Sequence, residues 1–206
     1  MYSKVKTFIK SIIRPEKQEI VWKYKFGATI PMPSYYKQKV ILDYKKKYDI
    51  KNFVETGTYE GEMIKACLDE FEHLFSIELD KTLYENAKIK FKENKKLSLY
   101  CGDSGVELKK IISNLEGSTL FWLDAHYSAG ITAKGDLDTP IVQELHEIFK
   151  INNDKNIILI DDARCFIGEY DYPTLFELKD IINEIAPNYK INVKDDIIRI
   201  GKNIEL

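Results

Sequence analysis

The sequence predicts an α/β fold: a doubly wound, Rossmann-like sheet of seven mostly parallel strands, with helices on both faces and an antiparallel hairpin strand at the C-terminal end. Short apolar runs alternate with helical patterns from about residue 50 to residue 186, which is typical of a parallel sheet built from βαβ units. The run 157–160 is apolar throughout, as expected of a strand covered by helices on both faces. Two final runs, 190–193 and 197–200, flank a polar turn and predict the hairpin.

The individual elements follow from spacing. Before the hairpin, apolar runs predict strands at 52–54, 73–79, 97–101, 119–123 and 157–160. Apolar residues three to four positions apart predict helices at 35–48, 62–71, 81–93, 105–114 and 174–186. A further helix starts at Thr139-Pro140, because proline is favoured at the first helical position, and its predicted apolar face is Val142, Leu145 and Phe149.

Composition limits the class of protein. A chain of 206 residues favours one main domain with a sizeable core. The net charge of −2 argues against a general nucleic-acid binder, which usually carries a basic excess. Three cysteines without a C-x-x-C pair predict reduced thiols and a cytoplasmic protein. No apolar run approaches the ~18 residues of a membrane span.

The first 49 residues form a predicted extension, a substrate flap or an oligomer contact, that precedes the main domain at 50–206. Residues 4–13 are amphipathic and basic. They predict either a helix on an anionic membrane surface or a helix packed on the body or on a second subunit of a homodimer. The second interpretation is favoured, because so short a segment binds membranes only marginally.

The segment 53–61 is the centre of the predicted site. An apolar strand reaches Glu55, two glycines follow at Gly57 and Gly61, and a helical pattern starts at Glu62. Glycine allows positive φ and lets a ligand approach the backbone, which suits a nucleotide-like ligand. The spacing differs from the dinucleotide fingerprint Gly-x-Gly-x-x-Gly. A carboxylate before the first glycine would repel a pyrophosphate and favour a cationic ammonium or sulfonium group.

Acidic residues follow each of the first five strands, at the edge where ligands bind to parallel sheets. Glu78 lies 21 residues after Gly57, a position suited to hydrogen bonding with ribose hydroxyls. Asp103 and Ser104 form a small polar turn after the third strand that could bind an adenine edge. Asp103 and Asp80 are also the acids best placed to act only as helix N-caps.

Three carboxylates, Asp124, Asp161 and Asp162, follow the two strands predicted to lie on the other side of strand one. Burying three negative charges together is costly unless a cation or another partner is present, and oxygen ligands with open positions suit Mg²⁺ or Mn²⁺. The alternative is that one carboxylate caps a helix and another pairs with Arg164. The metal site is the favoured interpretation.

Together these motifs resemble the class I S-adenosylmethionine (SAM)-dependent methyltransferases. The resemblance is closest to the metal-dependent O-methyltransferases of the catechol type and the macrocin or aminocoumarin sugar type, and it covers roughly residues 50–202. It implies SAM as cofactor. The residues that it implies for SAM binding are Glu55, Gly57, Thr58, Tyr59 and Gly61 in the first loop, Glu78 at the ribose, Asp103 and Ser104 at the adenine, and Asp124.

The same resemblance implies that Asp124, Asp161 and Asp162 bind Mg²⁺ or Mn²⁺, with Asp124 also counted as catalytic. The sugar-type enzymes place an acidic base two residues after the first metal ligand, whereas this sequence has His126 there. Imidazole titrates near neutrality and is a good general base. His126 is therefore the predicted base.

The predicted activity is metal-assisted O-methylation of a small polar acceptor. A sugar, a nucleotide sugar or a surface-polysaccharide precursor is favoured, methylated on a hydroxyl or phosphoryl oxygen. The segment 127–138 is long and contains two glycines, which predicts a lid. Tyr127, Arg164 and Tyr170 are predicted to contact the acceptor. Three alternatives stay open: metal-independent transfer with His126 alone, a nicotinamide-dependent oxidoreductase, and a non-catalytic cofactor-binding scaffold.

Overall fold

A computed structural model describes residues 31–124, 139–151 and 153–205 of the chain. Its strands are β1 Asn52–Thr56, β2 His73–Glu78, β3 Leu97–Cys101, β4 Thr119–Leu123, β5 Ile157–Ile160, β6 Lys190–Lys194 and β7 Ile197–Gly201. Its α-helices are α1 Ser34–Tyr48, α2 Glu62–Cys67, α3 Lys81–Lys90, α4 Ser104–Ile112, α5 Ile141–Ile148 and α6 Leu175–Ile185, and a 3₁₀ turn spans Ala163–Cys165. Residues 4–13 and the segment 127–138 lie outside the described residues.

The seven strands form one sheet in the order β3-β2-β1-β4-β5-β7-β6. β1 pairs in parallel with β2 on one side and with β4 on the other, and β4 pairs in parallel with β5. β7 runs antiparallel to both β5 and β6. The predicted fold class is therefore confirmed, including the antiparallel hairpin and the place of β4 and β5 beside β1.

Side chains of the central strands alternate between two apolar cores. In β1, Phe53 packs into the core that receives α1 and α2, whereas Val54 packs into the core that receives α4, α5 and α6. All five residues of β1, β4 and β7 are buried. The sheet is thus covered on both faces, and the carboxyl ends of its parallel strands are left as the edge at which polar side chains can meet.

Helix α1 lies within the predicted N-terminal extension, and it packs directly on the sheet. Val40 and Ile41 are buried in the core beside α2. Near the start of the helix, the Tyr36 hydroxyl donates to a carboxylate oxygen of Asp195 in the β6–β7 turn, at 3.2 Å. This packing brings the first turn of α1, including Lys37, to the carboxyl edge of the sheet.

Several element boundaries differ from their predictions by a few residues, and those of α2 and α5 have a clear physical reason. α2 ends at Cys67 instead of Phe71, because the chain turns at 67–71 to enter β2 at His73. α5 begins at Ile141 with Pro140 as its N-cap. The buried face of α5 is Ile141, Glu144, Leu145 and Ile148, with Val142 and Phe149 only partly buried. None of the described helices is long and apolar enough to cross a bilayer.

Candidate active site

The glycine loop between β1 and α2 depends on backbone conformations that glycine favours. Gly57 has φ of 88° and Gly61 has φ of 71°. The Gly57 amide donates to the carbonyl of Ile77 at 2.9 Å, which fixes the loop against β2. A Cβ at position 61 would lie 2.6 Å from the Cε2 atom of Phe91. Gly61 is therefore required for backbone geometry and for close packing on the end of α3.

Glu55 lies beneath this loop and is almost fully buried, with 1% of its surface exposed. Its Oε1 atom accepts a hydrogen bond from the Ser76 hydroxyl at 2.6 Å, and that hydroxyl also lies 2.6 Å from the Thr58 hydroxyl. Its Oε2 atom is buried and has no hydrogen-bond partner among the described residues. Burial raises the pKa of Glu55 to about 8, with Asp124 and Glu78 adding to the shift and Ser76 opposing it. A cationic ligand would relieve this unfavourable environment.

Glu78, at the end of β2, holds the glycine loop in place. Its Oε2 atom accepts from the Tyr59 amide at 2.7 Å, and its Oε1 atom accepts from the Asp80 amide at 2.9 Å. Tyr59 has φ of 47°, an uncommon conformation that this bond helps to maintain. A carboxylate can accept about four hydrogen bonds, so Glu78 keeps acceptor capacity for ribose hydroxyls.

The turns after β2 and β3 are closed by helix capping. The Asp80 carboxylate accepts from the amides of Thr82 and Leu83, at 2.7 and 2.9 Å. The Asp103 carboxylate accepts from the amide of Gly105 at 2.8 Å. Both residues therefore have the N-cap role that the sequence suggested for them. The adenine role of Asp103 stays a prediction.

Glu144 is a buried carboxyl that sequence reasoning missed. Its Oε1 atom accepts from the Ser104 hydroxyl at 2.6 Å, so the side chain of Ser104 already has a partner within the fold. Burial raises the pKa of Glu144 to about 7. Hydrogen bonds with Ser104 and Thr56 lower this pKa, and the charges of Asp103 and Asp124 raise it by a smaller amount. Glu144 thus connects the ends of β1 and β3 to α5.

This raised pKa predicts a pH-dependent stability. Between pH 4.5 and about 7 the unfolded chain releases the Glu144 proton while the folded protein retains it. The contribution of Glu144 to the free energy of unfolding therefore falls as pH rises, by up to ~1.4 kcal/mol per pH unit. We expect urea unfolding to show that wild type loses stability relative to Glu144→Gln from pH 5 to pH 7.

The control substitution is Glu184→Gln, at an exposed position of α6, measured over the same pH range. A constant difference between wild type and Glu144→Gln across the same range would contradict the assignment.

The three carboxylates at the ends of β4 and β5 converge. The Asp124 amide donates to the carbonyl of Thr56 at 3.1 Å, and the Asp161 amide donates to the carbonyl of Leu123 at 3.0 Å. One carboxylate oxygen from each of Asp124, Asp161 and Asp162 lies within 4.8 Å of the others. Oxygens on opposite sides of a Mg²⁺ ion are about 4.2 Å apart, twice the usual Mg–O distance. The donor set therefore fits a divalent ion after a small side-chain rotation.

Two basic side chains reach the same carboxylates. The Lys37 ammonium forms a close ion pair with Asp161 and lies 3.5 Å from Asp162 Oδ1. Arg164 Nη1 lies 2.7 Å from Asp162 Oδ1 and also pairs with Asp196 in the β6–β7 turn. The sequence offered a pair between one of these carboxylates and Arg164 as the alternative to a metal site, and Asp162 forms that pair. It coexists with a cluster whose geometry suits a metal.

Electrostatics in the cluster follow from burial. Burial raises the pKa of Asp161 above its usual range, the charges of Asp124 and Asp162 add to this shift, and Lys37 opposes it. Burial also works against the charged form of Lys37, but Asp161, Asp124 and Asp162 outweigh it and raise the pKa of that ammonium. The cluster therefore holds Lys37 as a cation.

The predicted acceptor contacts are only partly described. Tyr170 is 74% exposed and has φ of 54°, in the segment between the 3₁₀ turn and α6. Arg164 is engaged with Asp162 and Asp196, so its guanidinium is fixed beside the cluster. His126 and Tyr127 lie outside the described residues, and their roles stay predictions.

A cavity of about 470 Å³ lies at the opposite edge of the sheet, where strands begin. Lys51, Ser118 and Asn156 contribute to its wall. The buried amide of Asn156 accepts from the Thr119 amide at 3.1 Å, so it supports the backbone there. We place the candidate active site at the carboxyl edge, because the converging aspartates lie there together with the Glu55 oxygen that has no partner among the described residues.

Neither a known family model nor a curated protein matches the sequence, whereas solved structures match the fold. The O-methyltransferase from Bacillus cereus, solved in complex with S-adenosylhomocysteine (SAH), matches with a TM-score of 0.61 at 12% identity, over 97% of each chain. The O-methyltransferase TomG from Streptomyces achromogenes, involved in tomaymycin synthesis and solved with SAM, matches with a TM-score of 0.58 at 12% identity, over 96% of this chain and 94% of that chain.

The N-methyltransferase NodS from Bradyrhizobium japonicum WM9 also matches, with a TM-score of 0.52 at 10% identity, over 82% of this chain and 93% of that chain. The chain therefore has the fold of class I SAM-dependent methyltransferases, as the resemblance in the sequence implied. Because this fold serves both oxygen and nitrogen acceptors among these structures, the acceptor must be argued from the site.

Proposed function

We propose that the protein is a SAM-dependent O-methyltransferase that uses a divalent metal and acts on a small polar acceptor. The observation that carries the proposal is the arrangement at one sheet edge. A buried carboxylate, one oxygen of which has no partner within the described part of the chain, lies under a glycine loop, and three carboxylates converge on the neighbouring strands. The first feature suits the positively charged methionine part of SAM, and the second suits Mg²⁺ or Mn²⁺.

SAM would supply a methyl group on a sulfonium, and the metal would bind the acceptor oxygen and lower its pKa. Glu55 would compensate positive charge on the cofactor, with Gly57, Thr58, Tyr59 and Gly61 forming the loop around it. Glu78 would accept hydrogen bonds from the ribose, and Asp103 and Ser104 would border the adenine. Asp124, Asp161 and Asp162 would hold the metal. The protein's main catalytic contribution would be alignment of two bound reactants.

The acidic cluster favours oxygen over nitrogen as the acceptor. An alcohol is a weak nucleophile that must lose its proton, whereas a neutral amine attacks without that help. We assign the removal of the alcohol proton to His126, which follows the first metal ligand by two residues. The guanidinium of Arg164 and the exposed ring of Tyr170 would suit an acceptor such as a sugar, a nucleotide sugar or a surface-polysaccharide precursor. Tyr127 would also contact this acceptor.

Binding and turnover measurements test this proposal. We expect calorimetry to show binding of SAH and no binding of NAD. We expect SAH release from SAM in the presence of a panel of monosaccharides and nucleotide sugars. Chelation with EDTA should abolish turnover, because the deprotonated oxygen would lose its counter-ion, and Mg²⁺ should restore it.

Each alternative has its own outcome in these experiments. Turnover that is unchanged by EDTA and lost in His126→Ala would favour metal-independent transfer. Binding of NAD without SAH would favour an oxidoreductase. Binding of SAH with no transfer to any acceptor, in a protein that also lacks response to Mg²⁺, would favour a scaffold.

A further inference from the structure

Lys37 is the cation that sequence reasoning did not connect with the acidic cluster. It lies on α1, 124 residues before Asp161, and its ammonium pairs closely with the Asp161 carboxylate. The Lys37 side chain is 15% exposed and that of Asp161 is 1% exposed, so the contact forms at the boundary between the interior and solvent. An ammonium in this position binds carboxylate oxygens that a divalent ion would otherwise bind.

The backbone that carries Lys37 is firmly held. Val40 and Ile41, one turn further along α1, are buried in the apolar core, and the neighbouring Tyr36 hydroxyl bonds to Asp195. The ammonium is therefore delivered to the cluster at a high effective concentration. Its flexible four-carbon stem and its partial exposure still give the charged group a route back into water.

We propose that Lys37 is a tethered counter-ion that competes with a divalent cation for Asp161 and Asp162, so that Lys37 must leave Asp161 before the metal binds. This inference rests on the metal ligands of the proposed function. Arg164 is less suited to this role, because its guanidinium is shared between Asp162 and Asp196 and stays bound to the hairpin turn. Helix α1 thus holds Lys37 where it lowers the affinity of the aspartates for the metal.

Competition of this kind raises the apparent Kd of the metal. The apparent Kd equals the intrinsic Kd divided by the fraction of time that the site is open. If Lys37 leaves the aspartates open for about a tenth of the time, the apparent Kd of the metal is about tenfold weaker than the intrinsic Kd. We expect Lys37→Gln, which removes the cation and keeps a polar side chain, to bind Mn²⁺ at least ~tenfold more tightly than wild type.

The experiment measures Mn²⁺ binding by electron paramagnetic resonance in the full chain. Lys37→Arg keeps a cation and should bind Mn²⁺ no more tightly than wild type. Lys46→Gln removes a lysine charge from an exposed position of the same helix, and it should match wild type. Equal or weaker Mn²⁺ binding by Lys37→Gln would overturn the inference.

A stability measurement covers the case in which Lys37→Gln folds poorly without metal. At one ligand concentration, tighter binding to the folded state gives a larger rise in Tm, so Mn²⁺ should raise the Tm of Lys37→Gln by more than that of wild type. An equal or smaller rise overturns the inference.

The outcome is separable from that of the proposed function. Tighter Mn²⁺ binding by Lys37→Gln together with no methyl transfer by wild type would support the inference and reject the proposed activity. Mg²⁺-dependent transfer by wild type with no tightening in Lys37→Gln would reject the inference alone. Absence of Mn²⁺ binding in every variant would reject the inference and the metal part of the proposed function.

Discussion

Asp161→Asn should reduce methyl transfer at least ~100-fold while changing the affinity for SAH by less than about threefold. Asp161 follows β5, two strands away from the glycine loop, and it is the most deeply buried member of the acidic cluster. Its amide analogue keeps the size of the side chain and removes a charged ligand. A loss of about 3 kcal/mol of charge stabilisation in the transition state corresponds to this fall in rate.

Steady-state kinetics and calorimetry on the same preparation check this prediction. Asp180→Asn, at an exposed position of α6, is the matched control and should retain full activity. Restoration of Asp161→Asn by high Mn²⁺ would further indicate that a weakened metal site is the cause. An equal loss of SAH binding and turnover would instead indicate that the substitution damages the cofactor half of the edge.

Glu55→Gln should weaken SAH binding by roughly 30- to 100-fold and at the same time stabilise the ligand-free protein. The first effect follows because a hydrogen bond or ion pair to a charged ligand group contributes about 2–3 kcal/mol. The second follows because the Glu55 carboxyl is buried, has one oxygen without a partner among the described residues, and has a pKa raised to about 8. An uncharged amide removes that desolvation penalty.

The expected result for Glu55→Gln is a lower affinity for SAH together with a higher free energy of unfolding of the ligand-free protein. Calorimetry with SAH gives the first, and urea unfolding of the ligand-free protein at pH 8 gives the second, where we expect a gain of about 1 kcal/mol. Glu60→Gln removes one negative charge from an exposed position of the same loop and should change neither quantity much. A variant that loses stability and keeps its affinity would contradict a cofactor role for Glu55.

Much of the fold could be predicted because the signals are local. Strands buried on both faces read as short apolar runs, and the acidic residue that ends each run marks the carboxyl edge without further information. The convergence of Asp124 with Asp161 and Asp162 followed from strand order, once β4 and β5 were placed beside β1. The turn of Asp195 and Asp196, with φ of 52° and 58°, likewise followed from its polar composition between two strands.

The rest could not be predicted, because it depends on contacts between distant segments. Lys37 reads as one of several exposed lysines on an amphipathic helix, and nothing in its neighbourhood indicates Asp161. Asp196 reads as a turn residue, yet it is buried and pairs with Arg164. Glu144 had a local signal that was overlooked. It lies on the same helical face as Ile141, Leu145 and Ile148, where a carboxyl group needs a buried partner.

The separation of Lys37 from its partners along the chain bears on how the molecule matures during translation. The ribosome delivers α1 before Asp161, Asp162 and Asp196. β5 is enclosed only after β7 pairs with it, and the contact between Arg164 and Asp196 forms only once the hairpin is in place. A nascent polypeptide that stops before the hairpin would possess the glycine loop but would lack the turn whose aspartates hold Tyr36 and Arg164 beside the acidic cluster.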